Sequence, residues 1–340
     1  MADSALGWAV RLANRRNIPV AVFFPMSASM FSLFLNFHLL QHNGDFPVVL
    51  TERGNERVEY LPGLSPTRLV DLLGPTGGTY DFFLQTILDA FSLLPKAQYL
   101  ILSTLYELEL QAVDAIRAAL SMPVFTVGGA LQLGADNAAD QEDYLRWLDQ
   151  QPEGSVLYVS MGSHLSVSAG QMDEILSGLL ESGVRFMLVA RTEPAAQLRN
   201  GGCGERGLVV RWCDQPRVLS HGSVGGFWSH CGWNSVKEGV RAGVPFLTFP
   251  LMADQFLNSK LIVEDWRVGE RVREDIIVND GNALVTRHEI ATKVKRFMDR
   301  EEAKSMEMRA RAKELQKTVR NGVSEGDMSS FAKDILKHVQ

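Results

Sequence analysis

Apolar and polar positions along this chain follow two periods, and the switches between them mark its elements. Short unbroken runs such as Ser155-Val-Leu-Tyr-Val-Ser160 have the length and density of strands buried on both faces. Between them lie longer stretches with apolar residues at helical spacing. In the first part the pattern predicts strands over 18–24, 98–103 and 123–127, a helix over 27–41, a polar loop over 50–62, and helices over 80–93 and 107–120. Further on it predicts strands over 155–160, 185–190, 207–211, 224–229 and 244–249. Helices are expected over 143–149, 170–181, 234–242, 254–264, 287–300, 302–320 and 329–338. Strand–helix alternation of this kind argues for α/β layers with parallel sheets.

The stretch 134–142, GADNAADQE, is polar, lacks large apolar residues and reads as a linker. It separates a first domain over 1–133 from a second over 143–325, with the tail 326–340 expected to pack back on the first. The second carries a complete set of elements, whereas the first is short for a matching partner.

One segment imitates a membrane anchor. Ile18–Leu40 carries no Asp, Glu, Lys or Arg and follows Arg11, Arg15 and Arg16. Pro25 splits it, however, and Ser27, Ser29, Ser32, Asn36 and His38 stud its second part, so a buried strand followed by a buried helix accounts for it. Within that helix Phe31, Phe34 and Phe37 admit two readings, plain core packing or one wall of a ligand pocket.

Length and composition narrow the classes. The 340 residues allow two domains, and 46% hydrophobic with 22% charged residues describes a soluble globular protein. A net charge of −6 gives no electrostatic reason to expect nucleic acid or an anionic membrane, so a bound phosphate would be held by helix dipoles and single side chains. Cys203, Cys213 and Cys231 form no C-x-x-C pair, which favours a reducing, cytoplasmic setting.

The densest chemistry lies between Trp212 and Gln255. Gly225-Gly226-Phe227-Trp228-Ser229 reads as a strand, His230-Cys231-Gly232 as a tight turn and Asn234 onward as a helix. Such a unit aims backbone N–H groups and a positive dipole end at the turn, where a diphosphate fits. Gly232 lets the backbone approach closely, and His230 and Ser235 add side-chain donors. Trp212 offers an indole to a planar base, Glu238 a carboxylate to two ribose hydroxyls, and Asp254 with Gln255 polar atoms to a sugar. Each also has a plainer reading: Ser235-x-x-Glu238 as a capping box, Trp212 as a packing tryptophan, Asp254 as an N-cap.

As a whole the block resembles, nearly end to end, the signature of the plant secondary-product UDP-glycosyltransferases, family 1 of the glycosyltransferases. The resemblance runs from Asp3 to the C-terminus through Asn14-Arg-Arg-Asn-Ile-Pro19, Tyr60-Leu-Pro-Gly-Leu64 and Leu102-Ser-Thr-Leu-Tyr-Glu-Leu-Glu109. It implies a GT-B fold, α/β with two Rossmann-like domains and parallel sheets, the N-terminal one incomplete. It also implies that Trp212, Cys213 (through its backbone) and Gln215 contact uridine. His230, Trp233, Asn234 and Ser235 would surround the diphosphate, Glu238 the ribose, and Asp254 and Gln255 the sugar. Ser160-Met-Gly-Ser163 resembles the family's Gly-Ser/Thr loop and brings Ser163 to the donor. Glutamine at the block's end implies glucose. Trp-Cys-Asp-Gln stands where Trp-Ala-Pro-Gln is common, and Val236-Lys237 where Thr-Leu is usual, with Lys237 expected in solvent.

Transfer to a hydroxyl needs a base for its proton, and the departing UDP needs its charge stabilised. In the resembling enzymes a histidine after the first N-terminal strand is that base, an aspartate orients it, and the anomeric carbon is inverted. Asp3 matches the aspartate; none of His38, His42, His164, His221, His230, His288 and His338 stands in the histidine's context. The resemblance therefore implies an N-terminal truncation that removes the base and leaves Ile18–Phe24 as an exposed sheet edge.

The expectation is a monomeric transferase moving glucose from UDP-glucose, as co-substrate, to a hydroxyl or carboxyl of a small apolar acceptor, without cofactor or metal. Its alternative is a catalytically inactive homologue that binds UDP-sugar only. An epimerase fits the block poorly. A nicotinamide enzyme lacks its G-x-G-x-x-G, and a metal-dependent transferase its D-x-D pair.

Overall fold

The computed structural model describes residues 1–74, 81–128, 141–162, 167–190, 203–273, 284–321 and 329–334. They fall into two compact units. The first comprises Met1–Gln132, Met252–Leu257 and Thr318–Gln340; the second comprises Leu133–Leu251 and Asn258–Lys317. Segments 252–257 and 318–325, assigned from sequence to the second domain, thus group with the first. Most of the linker, 134–140, lies outside the described residues, while 141–142 open the helix Gln141–Asp149.

The first unit is built on a parallel sheet. Its strands are β1 (Ala2–Asp3), β2 (Ala21–Phe24), β5 (Tyr99–Leu102) and β6 (Val124–Thr126), in the order β1-β2-β5-β6. The expected polar loop instead holds a turn of helix, Leu50–Arg53, and β3 (Arg57–Val58), which pairs antiparallel with β4 (Thr67–Arg68). Two-residue strands are too short to leave a periodic trace. The expectation that Ile18–Phe24 forms the edge is corrected. Ala2 and Asp3 pair with Val22 and Phe23, and the Ser4 N–H donates to the Phe23 carbonyl at 2.9 Å, so β1 is the edge. Exposed apolar side chains nearby include Ile18 of that segment and Leu6, Trp8 and Leu12, on or beside the helix Gly7–Arg15.

The apolar stretch after β2 breaks where its polar residues fall. Ser27 caps the helix Ala28–Leu35 by accepting from the Met30 N–H at 3.2 Å. Asn36 ends it by donating its amide to the Ser32 carbonyl at 2.9 Å, and a second helix, Phe37–His42, follows. Phe24 meets Phe31 edge-on at 5.1 Å, and Phe91 lies 4.9 Å from Phe31 and 5.5 Å from Phe34. Phe37 packs on Phe46. The three phenylalanines are core. No described helix is long and apolar enough to cross a membrane.

Behind these rings sits a buried carboxylate. Glu109 accepts from the Ala28 N–H (2.8 Å) and Thr104 Oγ1 (2.6 Å) on one oxygen, and from the Ser29 N–H (2.9 Å) and Oγ (2.7 Å) on the other. It anchors the positive end of the helix Ala28–Leu35. In the tail, 329–334 is helical, and Phe331 packs 5.8 Å from Tyr99 and 5.3 Å from Phe125.

The second unit has a six-stranded, wholly parallel sheet: β7 (Val156–Ser160), β8 (Arg185–Val189), β9 (Gly207–Val210), β10 (Val224–Ser229), β11 (Phe246–Thr248) and β12 (Gly269–Arg271). Their order is β12-β11-β10-β7-β8-β9. The chain therefore runs outward in one direction from β7 and in the other from β10, and the crevice beyond the strand ends at that reversal is where doubly wound sheets bind ligands. Leu157, Val159, Leu188, Trp228 and Phe297 are among the buried residues packed around the sheet. β12 was not legible as a strand. Its central Glu270 is buried and satisfied by Arg296 at 2.6 Å and Lys304 at 3.3 Å, so the strand is polar where a buried one is expected to be apolar.

Candidate functional site

At the reversal point β7 and β10 end side by side, with Ser160 opposite Ser229. The chain leaves β10 through a strained turn. Cys231 adopts φ 67°, a conformation uncommon outside glycine, and the turn is pinned on both sides. The Cys231 N–H donates to Ser229 Oγ at 3.0 Å, and Asn258 Nδ2 donates to the Cys231 carbonyl at 3.0 Å. The helix Trp233–Ala242 starts at once, with Gly232 as its N-cap and no side chain capping it. The capping-box reading of Ser235 and Glu238 is thereby removed. Ser235 stands at the third helical position and accepts from Gln215 instead.

His230 is wedged between two glycines. A Cβ on Gly162 would lie 2.7 Å from its Nε2, and one on Gly232 would lie 2.5 Å from the same atom. Its backbone N–H donates to the Ser160 carbonyl at 3.3 Å, tying the turn to the end of β7. Burial holds the imidazole below the usual histidine value, against a smaller opposing effect of the Ser160 backbone, so the ring is neutral at physiological pH. Its buried Nδ1 has no hydrogen-bond partner among the described residues.

Trp212 lies two residues beyond β9 and is 42% exposed, so much of its indole is open to a ligand. Cys213 is buried, and burial pushes its thiol up to about 12. Asp214 caps the helix Gln215–Leu219 by accepting from the Arg217 N–H. Gln215 Nε2 donates to Ser235 Oγ at 2.8 Å and to Glu238 Oε2 at 2.7 Å. Burial raises the Glu238 carboxyl above the ordinary glutamate value, and the bond from Gln215 opposes that rise. Trp212, Cys213, Gln215, His230, Gly232, Ser235 and Glu238 thus lie on consecutive turns and helix starts of one unit.

Other expected site residues fall differently. Asn234 is exposed at the helix start. Trp233 is buried, with its ring centre 6.4 Å from that of Trp266. Lys237 does not reach solvent as expected. It is 4% exposed, on a helix whose Val236, Gly239 and Val240 are also enclosed. Ser163 lies outside the described residues. Asp254 and Gln255 belong to the segment grouped with the first unit and are nearly buried. Gln255 clamps its own loop there: its N–H donates to the Met252 carbonyl at 3.2 Å, and its Oε1 accepts from the Met252 N–H at 3.1 Å. Asp3 is exposed on β1, ordered by pairing with β2, and its Oδ1 accepts from the Ala5 N–H at 2.9 Å.

Sequence reading passed over Tyr158. Its ring stacks on Phe227 at 5.2 Å, and its hydroxyl donates to Gln215 Oε1 at 3.0 Å and lies 3.3 Å from Cys213 Sγ. The signal was available: a tyrosine inside an apolar central strand needs a partner for its hydroxyl. Among the described residues no group of three His, Cys, Asp or Glu side chains is arranged to hold a metal ion.

A family model, "UDP-glucoronosyl and UDP-glucosyl transferase", matches residues 113–309. UDP-glycosyltransferase 87A1 of Arabidopsis thaliana is 45% identical over 348 residues, covering 100% of this chain and 78% of that protein. Among solved structures, Phytolacca americana UGT2 complexed with UDP-2-fluoro-glucose and pterostilbene superposes with a TM-score of 0.83 at 32% identity, over 98% of this chain and 75% of that one. A UDP-glucosyltransferase from Polygonum tinctorium capable of glucosylating indoxyl, in complex with 3,4-dichloroaniline, gives 0.84 at 32% identity, over 97% and 74%.

Proposed function

The chain belongs to the UDP-glucoronosyl and UDP-glucosyl transferase family, and from that premise we propose that it moves glucose from UDP-glucose to a hydroxyl or carboxyl of a small apolar acceptor, inverting the anomeric carbon. A glycosyltransferase of this family takes a UDP-sugar as co-substrate. The observation that carries the site assignment is the exposed Trp212 indole followed, in order, by the Gln215–Ser235–Glu238 cluster and an uncapped helix start. The uracil stacks on Trp212 and meets the Cys213 backbone. Glu238 accepts the ribose hydroxyls. The diphosphate lies at Gly232–Ser235 with His230 beside it, where helix N–H groups supply charge stabilisation without a cation.

Asp254 and Gln255 are assigned to the sugar. The UDP-2-fluoro-glucose of the Phytolacca relative supports glucose, and its pterostilbene supports an apolar acceptor. In the transfer the acceptor oxygen bonds to the anomeric carbon as the bond to UDP breaks. By the resemblance a base histidine, which none of this chain's seven histidines matches, takes the proton, and Asp3 matches the partner that orients it. No metal is needed in this scheme, because the helix start meets the departing charge.

Thermal unfolding with UDP tests the donor assignment. UDP at a hundred times its dissociation constant should stabilise the chain by about 2.7 kcal/mol, and Trp212→Ala and Glu238→Ala should each shrink that shift. A cooperative melt that UDP leaves unmoved would refute the assignment.

A further inference from the structure

Gln215 is expected to touch the nucleotide, yet both N–H hydrogens of its carboxamide are already engaged within the protein. It has two N–H hydrogens, and Ser235 Oγ and Glu238 Oε2 lie at 2.8 and 2.7 Å from Nε2. Its carbonyl oxygen accepts from the Tyr158 hydroxyl at 3.0 Å. Turned over, the amide would set its oxygen against the Glu238 carboxylate and its N–H groups against the phenol, so the cluster admits one orientation. The phenol's own direction is fixed in turn. It spends its single hydrogen on Gln215, and the Cys213 sulfur at 3.3 Å and the Ser160 side chain lie beside the phenol oxygen. A directed chain results, Tyr158 to Gln215 to Glu238. It starts in the middle of β7 and ends on the helix Trp233–Ala242.

We propose that Tyr158 is a positioning residue for the nucleotide, which through the Gln215 carboxamide holds the Glu238 carboxylate in the orientation that receives the ribose hydroxyls. This rests on the assignment of Glu238 to the ribose. Gln215 is then a link rather than a donor to the base. Its bond to Oε2 leaves the other carboxylate oxygen to the ribose. A phenol is suited to the post because Phe227 stacks on its ring and the strand fixes its backbone, so Tyr158 cannot follow Gln215 if that side chain drifts. Without the hydroxyl, the amide oxygen loses its buried donor and the side chain is free to swing off Glu238.

The test compares UDP with 2′-deoxy-UDP by calorimetric titration of the full 340-residue chain and its variants. The parent should prefer UDP about tenfold, the worth of one hydrogen bond to a charged group. Tyr158→Phe should weaken UDP about fivefold, leave 2′-deoxy-UDP within about twofold, and so collapse the preference to about twofold. Gln215→Met should produce the same collapse, and it carries the test if Tyr158→Phe does not melt cooperatively. A merely structural role would weaken both ligands alike. Equal weakening of the two nucleotides, or no change in either, in a folded Tyr158→Phe overturns the proposal. Glu238→Ala separates the two levels: if it keeps the parent's preference for the 2′-hydroxyl, the ribose assignment itself falls, and this proposal with it.

Discussion

Three glycines separate two costs that ordinarily occur together. Gly204 has φ +61° and no described residue within 4 Å of an added Cβ, so Gly204→Ala reports backbone strain. Gly232 has an ordinary φ of −61°, but its Cβ would lie 2.5 Å from His230 Nε2, so Gly232→Ala reports the contact alone. Gly162 has both, φ +86° and a Cβ 2.7, 2.9 and 3.0 Å from three atoms of the same ring. A left-handed alanine costs about 1–2 kcal/mol. Restriction of the unfolded chain returns about 0.4–1 kcal/mol of that, leaving Gly204→Ala near 0.5–1 kcal/mol. Forcing a methyl group into a filled site costs about 1–3 kcal/mol, which puts Gly232→Ala near 1–2 kcal/mol after the same return. Gly162→Ala should approach the sum of the two effects, about 2–3 kcal/mol. Urea unfolding followed by tryptophan fluorescence reads all three, and UDP titration should show Gly232→Ala and Gly162→Ala losing affinity while Gly204→Ala keeps it. The double variant of Gly162 and Gly232 should be non-additive, since both press on one imidazole. If Gly232→Ala lies within about 0.5 kcal/mol of the parent and binds UDP normally, the imidazole is not held between the glycines, and the reasoning fails.

The buried Glu109 offers another test: Glu109→Gln turns one acceptor oxygen into a donor facing two donors, and should cost about 3 kcal/mol in thermal melts, with a loss under about 0.5 kcal/mol counting against the account. Burial, the largest influence, raises the Glu109 carboxyl despite the opposing bonds from Thr104, Ser29 and Ala28. The folded state therefore binds more protons than the unfolded one just above the ordinary glutamate range. Stability should fall as pH rises through that window, and Glu109→Gln should flatten the slope. For Glu238, burial raises the carboxyl, Gln215 and then Lys237 pull it down, and Asp214 pushes it up. A proton there competes with the ribose, so UDP affinity should drop as pH falls through a value above the ordinary glutamate pKa. Glu238→Gln should give a weaker but flat profile; a parent profile equally flat would remove Glu238 from the ribose.

Much of the second unit could be read from sequence because its signals were strong and local. A six-residue apolar strand, a glycine-flanked turn and an amphipathic helix leave little choice at 224–242, and the strand and helix duly form there. What failed to show was settled by distant partners. Glu270 makes β12 look like a surface segment until Arg296 and Lys304 are brought to it. Lys237 reads as solvent-facing because a lone sequence does not reveal how deeply its helix is enclosed. Ser235-x-x-Glu238 has capping-box spacing, but Gly232 starts the helix one turn too early for Ser235 to cap it. In the first unit Asn36 breaks a helix that periodicity carries to residue 41, since apolar spacing is blind to one side chain bonding back to its own backbone. The edge role expected of Ile18–Phe24 passed to Ala2–Asp3, whose two-residue pairing no pattern announces.

The tail that seats Phe331 on Tyr99 and Phe125 has a consequence for how the molecule is made. Residues 318–340 belong to the first unit yet follow the whole second unit along the chain. During synthesis the second unit can close while the first still waits for the aromatic plug of its sheet. Until that plug arrives, two aromatic rings on adjacent strands stand open to chaperones, proteases and other nascent chains. A chain stopped short of residue 331 would leave Tyr99 and Phe125 without the ring that packs on them.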